Sequence, residues 1–262
     1  MGLVSIIISL PITIGLIVWL KKCKCGEPFP KGAVLKLVVS GAVCVVIVTV
    51  FTLAAGLATL LIRLGPDAVS QLTHVQTKEE ADAIVASLKK AETFSFPRTF
   101  LHTMLTVALI EEFFRYVILR LMVRGKSYVV TSLDWAVCGG LVGCGFQLLE
   151  DITYSSAGVA TAIFRSITPF HFLFGVIMGY LIGRGAEEKK GWYHLLALAI
   201  PVLLHTLFDS LVKSLNEADI YVLLLLGTAF LMIALAVYVI VRMNRARKKI
   251  QAEEAKKREA AG

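Results

Sequence analysis

The chain has 262 residues, enough for one large domain or two small ones, and 57% of them are hydrophobic while only 18% are charged. A soluble globular chain averages roughly 45–50% apolar and about 25% charged; this one lies outside that range on both counts, with a mean hydropathy of +0.76, and a disordered chain, a collagen-like chain and a disulfide scaffold are excluded. The formal charge of +8 would suit nucleic acid, but the Lys and Arg residues sit between long apolar runs, which is the membrane pattern.

A helix needs about 20 apolar residues to cross the hydrocarbon core. Seven runs qualify as candidates: 3–20, 37–62, 99–123, 135–154, 159–183, 192–212 and 220–241. The first lacks the basic start and small-residue cleavage site of a signal peptide; its basic cluster follows it, at Lys21, Lys22, Lys24, Lys31 and Lys36. It therefore reads as a retained span with its N-terminus outside. Basic residues recur after the third run (Arg120, Arg124, Lys126), after the fifth (Arg184, Lys189, Lys190) and throughout the tail beyond Val241. The intervening connections are neutral or balanced. By the positive-inside rule the C-terminus is cytoplasmic and the N-terminus external.

The long outer connection, 63–98, opens a capping-box pattern at Thr77 and Glu80. Ala81, Ile84, Val85 and Leu88 then recur at helical spacing. A short amphipathic surface helix is expected, either a packed cap on the bundle or a gate over a substrate. Cys23 and Cys25 fall in an inner connection and Cys44, Cys138 and Cys144 in spans, so none stands where disulfides form. Reduced or palmitoylated thiols are favoured over a metal pair at Cys23 and Cys25. The basic tail reads as a solvated helix end near anionic lipid. The chain divides into 1–98 (two spans and the outer connection), 99–213 (a four-helix core) and 214–262 (the last span and tail).

Ionisable residues interrupt the apolar runs of that core. Glu111, Glu112 and Arg115 lie in the third run, Glu150 in the fourth, Arg165 and His171 in the fifth, and His205 and Asp209 in the sixth. Unpaired, Glu111, Glu112, Arg115 and Asp209 alone would cost on the order of 10 kcal/mol on the insertion scale. They must face one another or a wet cavity. Either Glu111 (i,i+4) or Glu112 (i,i+3) can pair with Arg115, and His205 shares a face with Asp209. Arg165 reads equally as a snorkelling side chain or as part of the site; His74, His102 and His194 read as interfacial. Gly139, Gly140, Gly143 and Gly145, and the ridge Gly175, Gly179, Gly183, are smooth surfaces for close helix approach.

Hydrolysis inside a membrane needs water, a base and a place for the oxyanion. A carboxylate in a dry pocket can serve as general base. Imidazoles can bind a metal or stabilise the oxyanion, and His171, His205 and Glu150 are ligand types that suit zinc. A zincin helix, a nucleophile elbow, a P-loop and a Rossmann glycine pattern are all missing from the sequence.

At these residues the chain resembles a known family. Glu111-Glu112-Phe113-Phe114-Arg115 looks like the paired-glutamate motif of the PrsW-type intramembrane proteases, relatives of the CAAX- and bacteriocin-processing membrane proteases. The stretch from Gly145 through Phe146 and Glu150 to Tyr154 resembles the second motif. Arg165 to His171 with the following glycines resembles the third, and His205 to Asp209 the final His-x-x-x-Asn/Asp motif. The resemblance spans about residues 100–213. Arg115 stands where the family commonly has Lys, and Asp209 where it commonly has Asn; the former keeps the charge in a forked geometry, the latter adds a charge beside His205.

The resemblance implies an all-α bundle in a prokaryotic plasma membrane, cleaving a membrane-bound protein such as an anti-sigma factor or another single-span substrate. Glu111, Glu112, Arg115 and Asp209 are the expected catalytic residues. Glu150, His171 and His205 are the expected holders of a divalent metal, with zinc named first, or of the water and oxyanion. Whether Glu111 or Glu112 is the base, and whether the metal or glutamate alone drives the reaction, stays open at this level. A proton-coupled or small-molecule transporter and an inactive scaffold of the same fold are the competing readings.

Overall fold

The structure, a computed structural model, describes residues 2–25, 27–73, 77, 78, 80, 95–154, 165, 167–215 and 218–259. Among them every regular element is helical: α1 (Gly2–Cys23), α2 (Ala33–Thr73), α3 (Phe96–Thr103), α4 (Leu109–Val123), α5 (Ser132–Thr153), α6 (Phe170–Glu188), α7 (Trp192–Lys213) and α8 (Asp219–Glu259). Five stretches are long and apolar enough to cross a membrane, Ile6–Cys23, Ala33–Thr59, Ser132–Thr153, Trp192–Lys213 and Asp219–Glu253. The third and fifth expected runs are not among the five. The third carries Glu111, Glu112 and Arg115, and its path is divided; the described helix of the fifth is 19 residues long and closes on Arg184, Glu187 and Glu188. The last helix is also longer than hydropathy alone suggests, since α8 continues through the basic tail to Glu259. Within the outer connection the Thr77–Glu80 capping box is formed, with both hydrogen bonds at 3.2 Å. The helix expected from Ala81 to Leu88, His74, and residues 159–164 and 166 of the fifth run lie outside the described residues.

The outer surfaces of these helices are apolar. Leu223, Leu226 and Phe230 on α8 and Leu53 and Leu57 on α2 are each more than half exposed. Exposed apolar surface of this extent has no place in water and matches a lipid-facing belt. Inside, α5 is the hub. Its glycine face meets that of α6 so closely that a methyl group at Gly139 would strike the Gly175 carbonyl. One at Gly143 would strike the His171 carbonyl, and one at Gly179 the Trp135 carbonyl. The pairings 143 with 171, 139 with 175 and 135 with 179 make α5 and α6 antiparallel. The close approach brings the first turn of α6, and with it His171, against the middle of α5.

Polar contacts at the two ends of α1 set its place on α5. Ser9 Oγ donates to Asp151 Oδ2 at 2.5 Å, and Lys24 Nζ lies 2.8 Å from Asp134 Oδ1, so these helices too are antiparallel. Asp134 also completes a capping box with Thr131 at the start of α5. At that same end Arg247 of α8 donates to the Lys22 carbonyl. At the far end Phe96 stacks on Tyr221 at 5.2 Å and Lys213 donates to Thr103 at 3.1 Å. The chain thus runs up and down, and the basic clusters gather at the end marked by Lys24 and Arg247.

Between α3 and α4 lies a π-helical turn, Met104–Ala108. The wider turn rotates everything after it relative to an uninterrupted helix. Thr106 donates to the His102 carbonyl at 2.8 Å, satisfying backbone that the wider turn loosens. The turn ends three residues before Glu111, so it sets the direction in which the acidic pair faces.

Candidate active site

The ionisable residues of four helices converge. On α4, Arg115 donates to both oxygens of Glu112, at 3.0 and 2.9 Å, and both side chains are fully buried. Its other terminal nitrogen donates to His171 Nδ1 at 2.8 Å and lies 3.8 Å from Glu111 Oε2. The guanidinium stacks over the Phe146 ring at 4.1 Å, an attraction strengthened by desolvation. Of the two acids that spacing allowed to pair with Arg115, the close partner is Glu112, both of whose oxygens are met by one guanidinium nitrogen.

Glu112 also faces α7: His205 Nδ1 lies 3.0 Å from its Oε1. An ionised carboxylate only accepts, so His205 carries its proton on Nδ1 and turns Nε2 inward. That nitrogen is 3.6 Å from Asp209 Oδ2 and 3.9 Å from Glu111 Oε2. Arginine only donates, so His171 Nδ1 is an acceptor and its Nε2 faces Glu150 Oε2 at 2.5 Å. Glu150 is held in turn by Arg165 at 2.8 Å. Arg165 therefore turns inward rather than snorkelling, stacking on Tyr154 at 4.4 Å and lying 3.4 Å from Asp151. His194 sits away from this cluster, its Nδ1 3.1 Å from the Tyr116 hydroxyl.

These groups border a cavity of about 310 Å³ whose wall includes Glu111, Glu150, His171, His205 and Asp209. Aromatic rings of Phe170, Phe174 and Phe208 line the rest, and Tyr154, Val212 and Lys213 stand around it. The volume holds several waters at about 30 Å³ each, or an extended peptide segment with one.

Four atoms of this cluster lack a hydrogen-bond partner: Arg115 Nε, Arg165 Nε, Glu150 Oε2, which is in ion-pair contact with Arg165 and His171, and Glu111 Oε2, which is buried in the cavity wall with no charged partner closer than 3.8 Å. Donor atoms of Glu111, His171 and His205 lie within 4.8 Å of one another. A divalent cation would satisfy that orphaned oxygen, and His205, oriented by Glu112, presents a free lone pair as in carboxylate–histidine–metal arrangements. The residues fit a metal on these grounds. Glu150, expected beside the two histidines, reaches the trio through its contact with His171 rather than as a member of it. His171 is held at both ring nitrogens, by Arg115 and Glu150, so a role as metal ligand would require one of these contacts to give way.

Three residues of the network stand outside the expected set. Asp151 and Gln147 sit next to expected positions on α5, and Ser9 comes from α1. The only sequence trace of Ser9 is its hydroxyl in an apolar run, one helical turn from Thr13.

Comparison with known proteins gives the family. A family model described as "PrsW family intramembrane metalloprotease" matches residues 30–241. Among curated relatives, a Protease PrsW of Oceanobacillus iheyensis is 28% identical over 158 residues, 58% of this chain and 71% of that protein. One of Halalkalibacterium halodurans is 32% identical over 139 residues, 51% of this chain and 64% of that protein. One of Geobacillus kaustophilus is 34% identical over 146 residues, 54% of this chain and 60% of that protein. The chain thus spans about two thirds of the length of these relatives. No solved structure matches it. The four motifs and the converging acids and imidazoles fall inside the matched segment, and the chain belongs to the PrsW family of intramembrane metalloproteases.

Proposed function

We propose that this protein hydrolyses peptide bonds of a membrane-bound protein, such as an anti-sigma factor or another single-span substrate, within a bacterial plasma membrane. The observation that carries the reading is the buried, unpartnered Glu111 Oε2 in a cavity wall shared with His171 and His205. Glu111 takes the proton of the attacking water. Arg115 neutralises Glu112, which leaves Glu111 free for that task. Glu112 fixes the tautomer and plane of His205, and the Asp209 carboxylate adds negative charge beside its other nitrogen, favouring a cation there. Glu150, clamped by Arg165, holds the His171 ring.

His171 and His205 are the residues that would hold a divalent ion beside Glu111, and we assign zinc. Bound there, it would polarise the scissile carbonyl and lower the pKa of its bound water to about 7. The 99–213 segment is the catalytic core. Seven spans with the N-terminus outside and the C-terminus cytoplasmic fit the up-and-down contacts and the gathering of Lys and Arg at one end. A transporter is disfavoured by the family match.

The test is co-expression with tagged single-span proteins, comparing wild type with Glu111→Gln, Glu112→Gln, His171→Ala and His205→Ala. Loss of cleavage in the variants is expected. Equal cleavage by all five proteins would remove the site from the reaction.

A further inference from the structure

α1 precedes the segment matched by the family and contains no acid or imidazole. Its outward side is apolar, with Ile7, Leu10, Ile14 and Val18 exposed, while Ser9 and Thr13 are 2% and 4% exposed. A lipid-embedded helix that turns its hydroxyls inward is using them.

Ser9 Oγ donates to Asp151 Oδ2 at 2.5 Å. Asp151 Oδ1 accepts from Gln147 Nε2 at 2.6 Å. Gln147 Oε1 accepts the backbone N–H of His171 at 3.2 Å. That N–H belongs to the first turn of α6, where intrahelical acceptors are lacking, and the N-cap Pro169 supplies no side-chain cap. Gln147 therefore caps α6 from another helix. Its orientation is forced: Asp151 only accepts, so the amide NH2 must face Asp151 and the carbonyl oxygen must face His171. With the amide reversed, two donors would confront each other at His171. Asp151 also faces Arg165 at 3.4 Å, and Arg165 holds Glu150 against the His171 ring. Both the backbone and the imidazole of His171 are thus tied to Asp151.

We propose that Ser9 and Asp151 are positioning residues for His171, acting through the orientation of Gln147, so that α1 is a working part of the site rather than an anchor. The assignment of a consequence for catalysis rests on the reading of His171 above; the positional consequence does not.

The experiment uses the purified full-length protein and the variants Ser9→Ala, Ser9→Thr, Asp151→Asn and Thr13→Val. Hydrogen exchange across residues 168–175 reads the His171 N–H directly. Zinc affinity and the kcat/KM split read the imidazole. Ser9→Ala and Asp151→Asn should speed that exchange, weaken zinc about 10–100-fold and lower kcat with KM nearly unchanged. Ser9→Thr should restore all three, and Thr13→Val, equally buried on the same helix, should match wild type. Wild-type exchange in Ser9→Ala and Asp151→Asn overturns the proposal. So does an equal effect of Thr13→Val, which would mean that α1 only packs. If wild type neither cleaves nor binds zinc, the protease reading fails while the exchange data still decide the role of Ser9.

Discussion

Glu112 on α4 and His205 on α7, 93 positions apart, face each other with Oε1 3.0 Å from Nδ1. Arg115 already holds both oxygens of Glu112, so this carboxylate is consumed in holding others. Neighbouring side chains on a helix point about 100° apart, and Glu111 stays 3.8 Å from the guanidinium. Two adjacent acids thereby acquire different tasks.

That division separates stability from activity. Arg115→Met leaves Glu112 buried without its cation and should cost about 3–5 kcal/mol, read as a lower unfolding temperature in detergent. Glu111→Gln removes no ion pair closer than 3.8 Å; it should unfold like wild type yet lose cleavage by at least about 100-fold. A Glu111→Gln protein that still cleaves would shift the base to another residue.

Metal content gives a second measurement. His171→Ala and His205→Ala should lose stoichiometric zinc, and Glu112→Gln should weaken it about 10–100-fold by freeing the His205 ring. Chelator should abolish cleavage and zinc should restore it. Undiminished cleavage in chelator would sink the metal assignment while leaving Glu111 as base.

The glycine seam predicts a local intolerance. Gly139→Ala and Gly175→Ala drive a methyl group into the backbone of the opposite helix, and overpacking of this kind costs about 1–3 kcal/mol. Gly227→Ala on α8 meets nothing within 4 Å and should be neutral. Melting curves of the three variants decide it; equal melting would mean that α5 and α6 are not in close contact.

At the other end of α1, Lys24→Met should destabilise by about 1–3 kcal/mol, because the buried Asp134 loses its cation while keeping the backbone N–H donors of Cys25, Val130 and Thr131. A double change, Lys24→Met with Asp134→Asn, should recover part of that loss, and a double-mutant cycle measures the coupling. Additive effects would show that the pair contributes no interaction of its own.

The acids and imidazoles of the site were legible because charged groups within apolar runs are costly and must meet something polar. The paired-glutamate, Phe-x-x-x-Glu and His-x-x-x-Asp stretches marked the helices that carry them. The choice of Glu112 over Glu111 for Arg115 was not legible, since i,i+3 and i,i+4 partners are both within reach. Arg165 was balanced between lipid and site until Glu150 and Asp151 were seen beside it. Five of the helices pass for spans on composition alone. The third and fifth runs do not, because the same charged residues and short helix that build the site dilute their apolar signal.

What the sequence determined by itself was the helical, membrane-embedded character of the chain and the residue types of its site. A helix satisfies its own backbone within one segment, so length, hydropathy and periodicity are enough to announce it. Which of these residues touch was decided by tertiary structure alone. Ser9 with Asp151, Lys24 with Asp134 and Glu112 with His205 join different helices, and such contacts depend on how each helix is rotated and raised against its neighbour. Here that setting comes from the glycine faces of α5 and α6, whose backbones come into contact, and from the π-helical turn ahead of Glu111.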